Sequence, residues 1–182
     1  MTKWVNETQD CNGKQLKKYT QWLGMNHRPN TQKYKCGTTI HESFLSYDVY
    51  LEWAKDQIGW LNVEDSGRIW SIDNDIVGDG SIYSPEVCVF VPAVINNFNT
   101  NKTNHNSLGH RGLVFQDNLY YVKTRRFGKE YYGGSFRNIN GAVAKYQELR
   151  LEYLMILSEK YYHLLDHRIF PNMLKKLTDD FI

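Results

Sequence analysis

Residues 111–146 read RGLVFQDNLYYVKTRRFGKEYYGGSFRNINGAVAKY. Leu113-Val114-Phe115 is a short apolar strand, and Gln116-Asp117-Asn118 is a turn. Leu119 to Arg126 then alternates: Tyr121, Lys123 and Arg125 share one face, while Tyr120, Val122 and Thr124 share the other. Phe127-Gly128-Lys129 reads as a second turn, with Gly128 free to take positive φ. Lys129 to Ser135 is a third strand ending in Gly133-Gly134. Asn138 and Asn140 are good N-caps for a helix running to about Tyr162. Within it Ala142, Val143, Tyr146, Leu149, Tyr153, Leu154 and Leu157 recur at three- and four-residue steps. That apolar stripe suits one face of a three-stranded sheet and leaves the other face carrying Lys or Arg interleaved with Tyr.

Just upstream, Asn96–His110 reads NNFNTNKTNHNSLGH, with six Asn and only two bulky apolar residues. Such a stretch buries too little surface to offset its ordering entropy and reads as a linker. Lys102, His105 and His110 in it could face phosphates, although an ordinary polar loop fits the segment equally well. Residues 1 to about 60 read as helical and amphipathic. Tyr19, Trp22, Leu23 and Met25, and then Phe44, Leu45, Tyr47, Val49, Tyr50, Leu51 and Trp53, fall near helical spacing and read as core faces. The basic residues between and before them, Lys14, Lys17, Lys18, Arg28, Lys33 and Lys35, make a solvated face or a phosphate-contacting one. The last twenty residues, HLLDHRIFPNMLKKLTDDFI, read as a helix end, a turn at Pro171 and a second short helix. That tail either packs back on the sheet or forms a dimer contact, so monomer and homodimer both stay open.

Bulk composition narrows the function classes. With 41% apolar and 23% charged residues the chain has ordinary globular composition. Its formal charge of +2 is too small for non-specific polyanion binding through net charge, so a nucleic-acid site must arise from local clustering. Aromatics are high at 14%, thirteen of them Tyr, a residue suited to wet interfaces. Cys11, Cys36 and Cys88 are odd in number and far apart, which argues against a zinc knuckle or a disulfide framework and for reduced thiols. No signal-peptide core opens the sequence, and no apolar run approaches the roughly 18 residues that span a membrane. A cytoplasmic protein is expected.

An antiparallel ribbon is narrow enough to enter the DNA major groove, where Arg can pair with guanine edges and Tyr can pack on sugars and thymine methyls. A merely solvated sheet face is the alternative. The spacing RG, then YYVKTRRFGKEYYGG, SF and AVAKY, with Phe136 ten residues before Tyr146, resembles the Apetala-two type of DNA-binding domain, a module also found at the C-terminus of phage homing endonucleases. The resemblance covers about Gly109 to Leu154. It implies a sheet docked on double-stranded DNA, with Arg111, Tyr121, Lys123, Arg125, Arg126, Lys129 and Tyr131 as candidate contacts.

Residues 70–96 read WSIDNDIVGDGSIYSPEVCVFVPAVIN, a hairpin followed by a helix start at Pro92. Asp73, Asp75, Asp79 and Glu86 are its carboxylates; they either hold a hard divalent cation or serve as turn residues. The segment resembles the ββα-metal core (HNH, or His-Me finger) of phage homing endonucleases. The resemblance implies Asp73 and Asn96 as metal residues, Glu86-Val87-Cys88 at the family's Glu-Asn-Leu stretch, and Mg²⁺ or Mn²⁺ as cofactor. Asn74 stands where that family has its general-base histidine, and no His lies between His41 and His105. An amide cannot take a proton from water near neutral pH. A similar layout, with pieces like YTQWLGM and TTIHESFLSYDVYLEW ahead of it, occurs in a set of phage proteins, so the resemblance runs from about Tyr19 to the end.

The expected fold is α+β. Residues 1–95 hold N-terminal helices and a degenerate ββα-metal-like core, 96–110 the linker, and 111–182 a three-stranded antiparallel sheet packed on one long helix with a helical tail. The resemblance implies a sequence-specific duplex DNA-binding protein of phage or mobile-element origin. It would derive from a homing endonuclease, with cleavage lost or reduced, and act by occupying DNA as a regulator or an anti-defence factor in a bacterial host. The alternative is an active endonuclease, nicking or cutting both strands, in which Asp73, Asp75 and Asn96 hold Mg²⁺ or Mn²⁺ and a metal-bound water attacks without a histidine. A third reading is a protein-interaction module using the aromatic surface.

Overall fold

The computed structural model describes residues 17–30, 37–99, 108 and 110–179. Among them are five helices, a three-stranded antiparallel sheet and two small two-stranded sheets, a mixed α+β architecture. No helix among the described residues is long and apolar enough to cross a membrane. The chain divides into two compact units: the described parts of Met1–Asn96 with Leu164–Ile169, and those of Asn97–His163 with Phe170–Ile182.

The first unit contains α1 (Lys17–His27), β1 (Thr39–Ile40), α2 (Tyr47–Lys55), β2 (Ser71–Asp73), β3 (Ile82–Tyr83), β4 (Val89–Val91) and the start of α3 (Ala93–Asn99). Tyr50, Leu51 and Ala54 form the buried face of α2. Leu45 and Val49, read with them as core, are exposed: Leu45 lies in the turn before the helix, and Val49 points away from the face that Tyr50, Leu51 and Ala54 share. Aromatic rings tie the pieces together, with centroid separations of 4.7 Å for Phe44 and Trp53, 5.7 Å for Trp53 and Phe90, and 5.3 Å for Trp60 and Phe90. Tilted ring pairs at these separations add to the burial of the rings themselves. The segment read as wholly helical also contributes a strand. Thr39–Ile40 pairs parallel with β3, in keeping with the preference of β-branched residues for extended backbone.

β2 pairs antiparallel with β4, in register Ser71↔Val91, Ile72↔Phe90 and Asp73↔Val89. Pro92 follows β4 and α3 begins at Ala93, whose backbone N–H donates to Glu64 Oε1 at 2.5 Å. A carboxylate there satisfies one of the free donors of the helix N-terminus. The expected linker starts too early. Asn96–Asn99 are helical, because Phe98 is buried against Tyr153 at 5.7 Å and under the Arg150 guanidinium at 3.7 Å. Residues 100–107 and 109 of that stretch, with Lys102 and His105, lie outside the described residues, as do Cys11 and Cys36.

The second unit holds β5 (Leu113–Gln116), β6 (Leu119–Arg126), β7 (Lys129–Phe136), α4 (Ile139–Tyr161) and all but the first residue of α5 (Ile169–Asp179). The strands are antiparallel in the order β5-β6-β7. Both hairpin loops have two residues with positive φ at each: Asp117 (+50°) and Asn118 (+58°), then Phe127 (+49°) and Gly128 (+80°). This backbone matches the right-handed twist of the flanking strands. Asn138 caps α4 by accepting from Gly141 N at 2.8 Å. Leu113, Val122, Ala142 and Leu149 are the buried centre, with Tyr120, Phe136, Val143 and Tyr146 packed around them.

Glycines set how closely α4 approaches the sheet. A Cβ on Gly133 would lie 2.4 Å from Leu149 Cδ1, and one on Gly112 2.1 Å from the Tyr146 ring. Gly133 is also the extra residue of a β-bulge: the register steps from Val122↔Gly134 to Lys123↔Tyr132. In the tail the turn comes at Asp166–Arg168 rather than at Pro171, because the Asp166 carboxylate accepts from both the backbone and the guanidinium of Arg168. Pro171 sits in the first turn of α5, where its missing N–H leaves nothing unsatisfied. Arg168 Nη1 donates to the Glu86 carbonyl at 2.5 Å, so this turn belongs with the first unit and not with the sheet.

Gly112 (φ +74°) and Gly128 (φ +80°) share a left-handed backbone, but nothing stands within 4 Å of a Cβ built on Gly128. Gly128→Ala is expected to cost about 1 kcal/mol, the backbone term alone. Gly112→Ala is expected to cost roughly 3 kcal/mol, because overpacking against Tyr146 is added. Thermal unfolding followed by circular dichroism checks both.

Candidate nucleic-acid interface and acidic turn

The sheet of the second unit presents two different faces. α4 covers one, which carries Leu113, Tyr120, Val122 and, at the hairpin end, Thr124 and Arg126. The pleat puts Tyr121, Lys123 and Arg125 of β6 on the other, open face. Lys123 and Arg125 are exposed, and Tyr121 is half-buried with its ring centroid 6.4 Å from that of Tyr132. Lys123 pairs with Glu130 at 3.2 Å.

The predicted contact residues divide between these faces. Tyr121, Lys123 and Arg125 come together as expected from the alternation. Arg126 belongs to the helix side: Nη2 donates to Glu152 Oε2 at 2.7 Å and to the Leu149 carbonyl at 3.2 Å, and the guanidinium lies 4.4 Å from the Tyr131 ring. Lys129 and Tyr131 pair with Arg126 and Thr124, so they share that side. The cause is turn length. A three-residue turn over Phe127–Lys129 would bring Tyr131 round to the face of Arg125. The actual turn is Phe127-Gly128 alone, and a one-residue change in register moves every following side chain to the opposite face. Glu130 and Tyr132, missed as site residues, therefore stand beside Arg125 and Lys123. Phe127 at positive φ was the hidden signal; a bulky residue there is costly and is held by α4. Its N–H donates to Tyr153 Oη at 2.8 Å, and its ring packs edge-on against Tyr153 at 5.4 Å. Arg111 lies half-buried just before Gly112, whose carbonyl accepts from Lys123 N at 2.7 Å.

In the first unit the acidic segment closes on itself. Asp73 Oδ1 accepts from Asp75 N at 3.1 Å and Ile76 N at 2.9 Å. Asn74 is buried, and its side-chain Nδ2 donates to the Ile82 carbonyl at 2.9 Å. Asp79 Oδ1 accepts from the backbone and hydroxyl of Ser81 at 2.9 and 2.5 Å. Glu86 is engaged with Ser84 and its own backbone, which lowers its carboxyl from the usual value. Burial, and next the charge of Asp75, push the Asp73 carboxyl up to about 7. Asp73 and Asp75 are thus brought together, but among the described residues no three His, Cys, Asp or Glu side chains gather as a metal site. Asn96 stands on α3, the helix after β4. Cys88 is a buried free thiol whose pKa burial pushes up to about 12.

The Asp73 carboxyl ionises near pH 3.8 when unperturbed and near 7 in the folded chain. Between those values the folded state keeps a proton that the unfolded state has released, so the part of the stability that depends on this carboxyl falls as pH rises from about 4 to about 7. Asp73→Asn keeps the acceptor for both turn N–H groups and removes the titration. The variant is expected to lose less stability than the parent between pH 4.5 and pH 7.5 in urea unfolding. Trp fluorescence reports it cleanly, since all five Trp lie within residues 1–96.

Comparison with protein-family models, with curated proteins and with solved structures found no match in any of the three.

Proposed function

We propose that the chain is a sequence-specific duplex DNA-binding protein of phage or mobile-element type, acting in the cytoplasm of a bacterial host by occupying its site. The observation that carries this reading is the open face of β5-β6-β7, where Lys123 and Arg125 alternate along one strand beside Tyr121 and Tyr132 while α4 covers the opposite face. A twisted antiparallel ribbon of this width suits the major groove. Arg125 can pair with the O6 and N7 of a guanine, Lys123 can reach a phosphate or a base, and the tyrosines offer flat surface to sugars and thymine methyls. With a chain charge of only +2, binding must come from this cluster rather than from the field of the whole protein.

Descent from an HNH homing endonuclease is part of the same proposal. Its support is the succession of antiparallel β2 and β4 followed at once by α3, with Asp73 ending β2. Loss of cleavage is supported by what the acidic residues do. Asn74 directs its amide at Ile82, Oδ1 of Asp73 holds two backbone N–H groups, and Asp79 and Glu86 serve their own turns. That set does not fit a divalent-cation site as it stands, and no step of the proposed action runs through a metal.

The double substitution Lys123→Ala with Arg125→Ala is expected to weaken duplex binding by roughly 10- to 100-fold and to flatten the salt dependence by about one unit for each phosphate no longer neutralised. Arg126→Ala, on the covered face, is expected to lower thermal stability yet leave the affinity of the folded protein unchanged. Gel shifts over a salt series read both, and unchanged binding by the double variant would remove the sheet as the DNA face. Supercoiled plasmid incubated with the protein and Mg²⁺ or Mn²⁺ is expected to stay intact. Nicking that disappears in Asp73→Ala would replace this reading with an active nuclease.

A further inference from the structure

We infer that Glu130 is a specificity-determining residue of the open sheet face, reading the exocyclic amino group of a cytosine next to the guanine read by Arg125. The inference rests on the duplex-binding reading above. Glu130 stands directly opposite Arg125 in the β6–β7 register, and its Oε1 lies 3.2 Å from Lys123 Nζ. It is the only carboxylate in the three strands. A face built only to hold phosphates is weakened by a carboxylate at its centre, because Glu130 offsets one of the two neighbouring cations and is itself repelled by the DNA backbone.

Folding does not explain the residue either. Lys123 and Glu130 are 46% and 60% exposed, and exposed ion pairs contribute little to stability. What remains is chemistry that only a base edge offers. In the major groove the groups that favour a carboxylate are amino donors, and cytosine N4 is the one that Glu or Asp accepts from, whereas adenine with its adjacent N7 suits Asn or Gln. Directly paired strand residues have Cβ atoms about 5 Å apart, and base pairs stack about 3.4 Å apart, so Arg125 and Glu130 can reach adjacent base pairs. The pair to Lys123 keeps the carboxylate beside Arg125 on the open face.

The test is selection of binding sites from a random duplex library by the parent protein, Glu130→Gln and Glu130→Ala, followed by anisotropy titrations on the parent's selected duplex and on random-sequence duplex. The parent is expected to select a cytosine beside a guanine. Glu130→Gln is expected to change that cytosine to adenine and leave the other positions alone. Glu130→Ala is expected to lose the preference at that position, to lower the ratio of selected to random affinity about tenfold, and to bind random duplex more tightly with a steeper salt dependence as Lys123 is released. Identical selected sites from all three proteins would overturn the inference. So would loss of preference at every position together, which would make Glu130 a support of the strand rather than a reader. Failure of the parent to bind any duplex would instead defeat the DNA-binding reading itself, and this inference with it.

Discussion

Phe127 occupies a left-handed backbone conformation that a bulky side chain adopts only when its surroundings hold it there. The surroundings here are Tyr153, whose hydroxyl accepts from the Phe127 N–H and whose ring packs against it, and Lys160, whose ammonium lies 5.2 Å from the Phe127 ring. The long helix therefore fixes a two-residue hairpin turn from outside the hairpin. That turn sets the pairing of Arg125 with Glu130 and Lys123 with Tyr132, and with it the membership of both sheet faces. One more residue in the loop would exchange them, moving Tyr131 outward and Tyr132 under the helix.

The same helix decides which face is free. Gly112 and Gly133 let Tyr146 and Leu149 come down to the strands, so that one side of a small sheet is dry and closely packed. Arg126 is drawn to that side by Glu152 and the Leu149 carbonyl. Its charge is thereby engaged on the helix side, while Lys123, paired with Glu130, and Arg125 stand on the exposed face. The basic character of this stretch is thus divided by the pleat into a structural part and a part able to meet a ligand.

In the first unit the polar side chains of the acidic turn are largely consumed in building it. Asp73 organises the backbone of the next three residues, Asn74 ties the start of the turn to β3, and Asp79 closes it through Ser81. Burial of Asp73 beside Asp75 leaves a carboxyl reluctant to ionise, a penalty set against the two backbone donors it satisfies. The same division of roles accounts for the Asn at position 74: the position needs a donor aimed at the Ile82 carbonyl, and an amide supplies it.

Much of the second unit was legible from local pattern. The period-two alternation of Leu119–Arg126, the three- and four-residue steps of Ala142–Leu157 and the cap at Asn138 are short-range properties, and each appears where the sequence implies. The start of α3 after Pro92 was legible for the same reason, whereas its continuation through Asn96–Asn99 was not, since only burial of Phe98 against Tyr153 and Arg150 stabilises helix in so polar a stretch. The short β1 likewise depends on a partner distant in the chain, the strand Ile82–Tyr83. The sequence by itself determined that a basic, tyrosine-rich strand would have one face against a helix and one face open. Tertiary structure alone decided that Glu130 and Tyr132 share the open face with Lys123 and Arg125, because the length of the turn is settled by a hydrogen bond between Phe127 and a tyrosine twenty-six residues away.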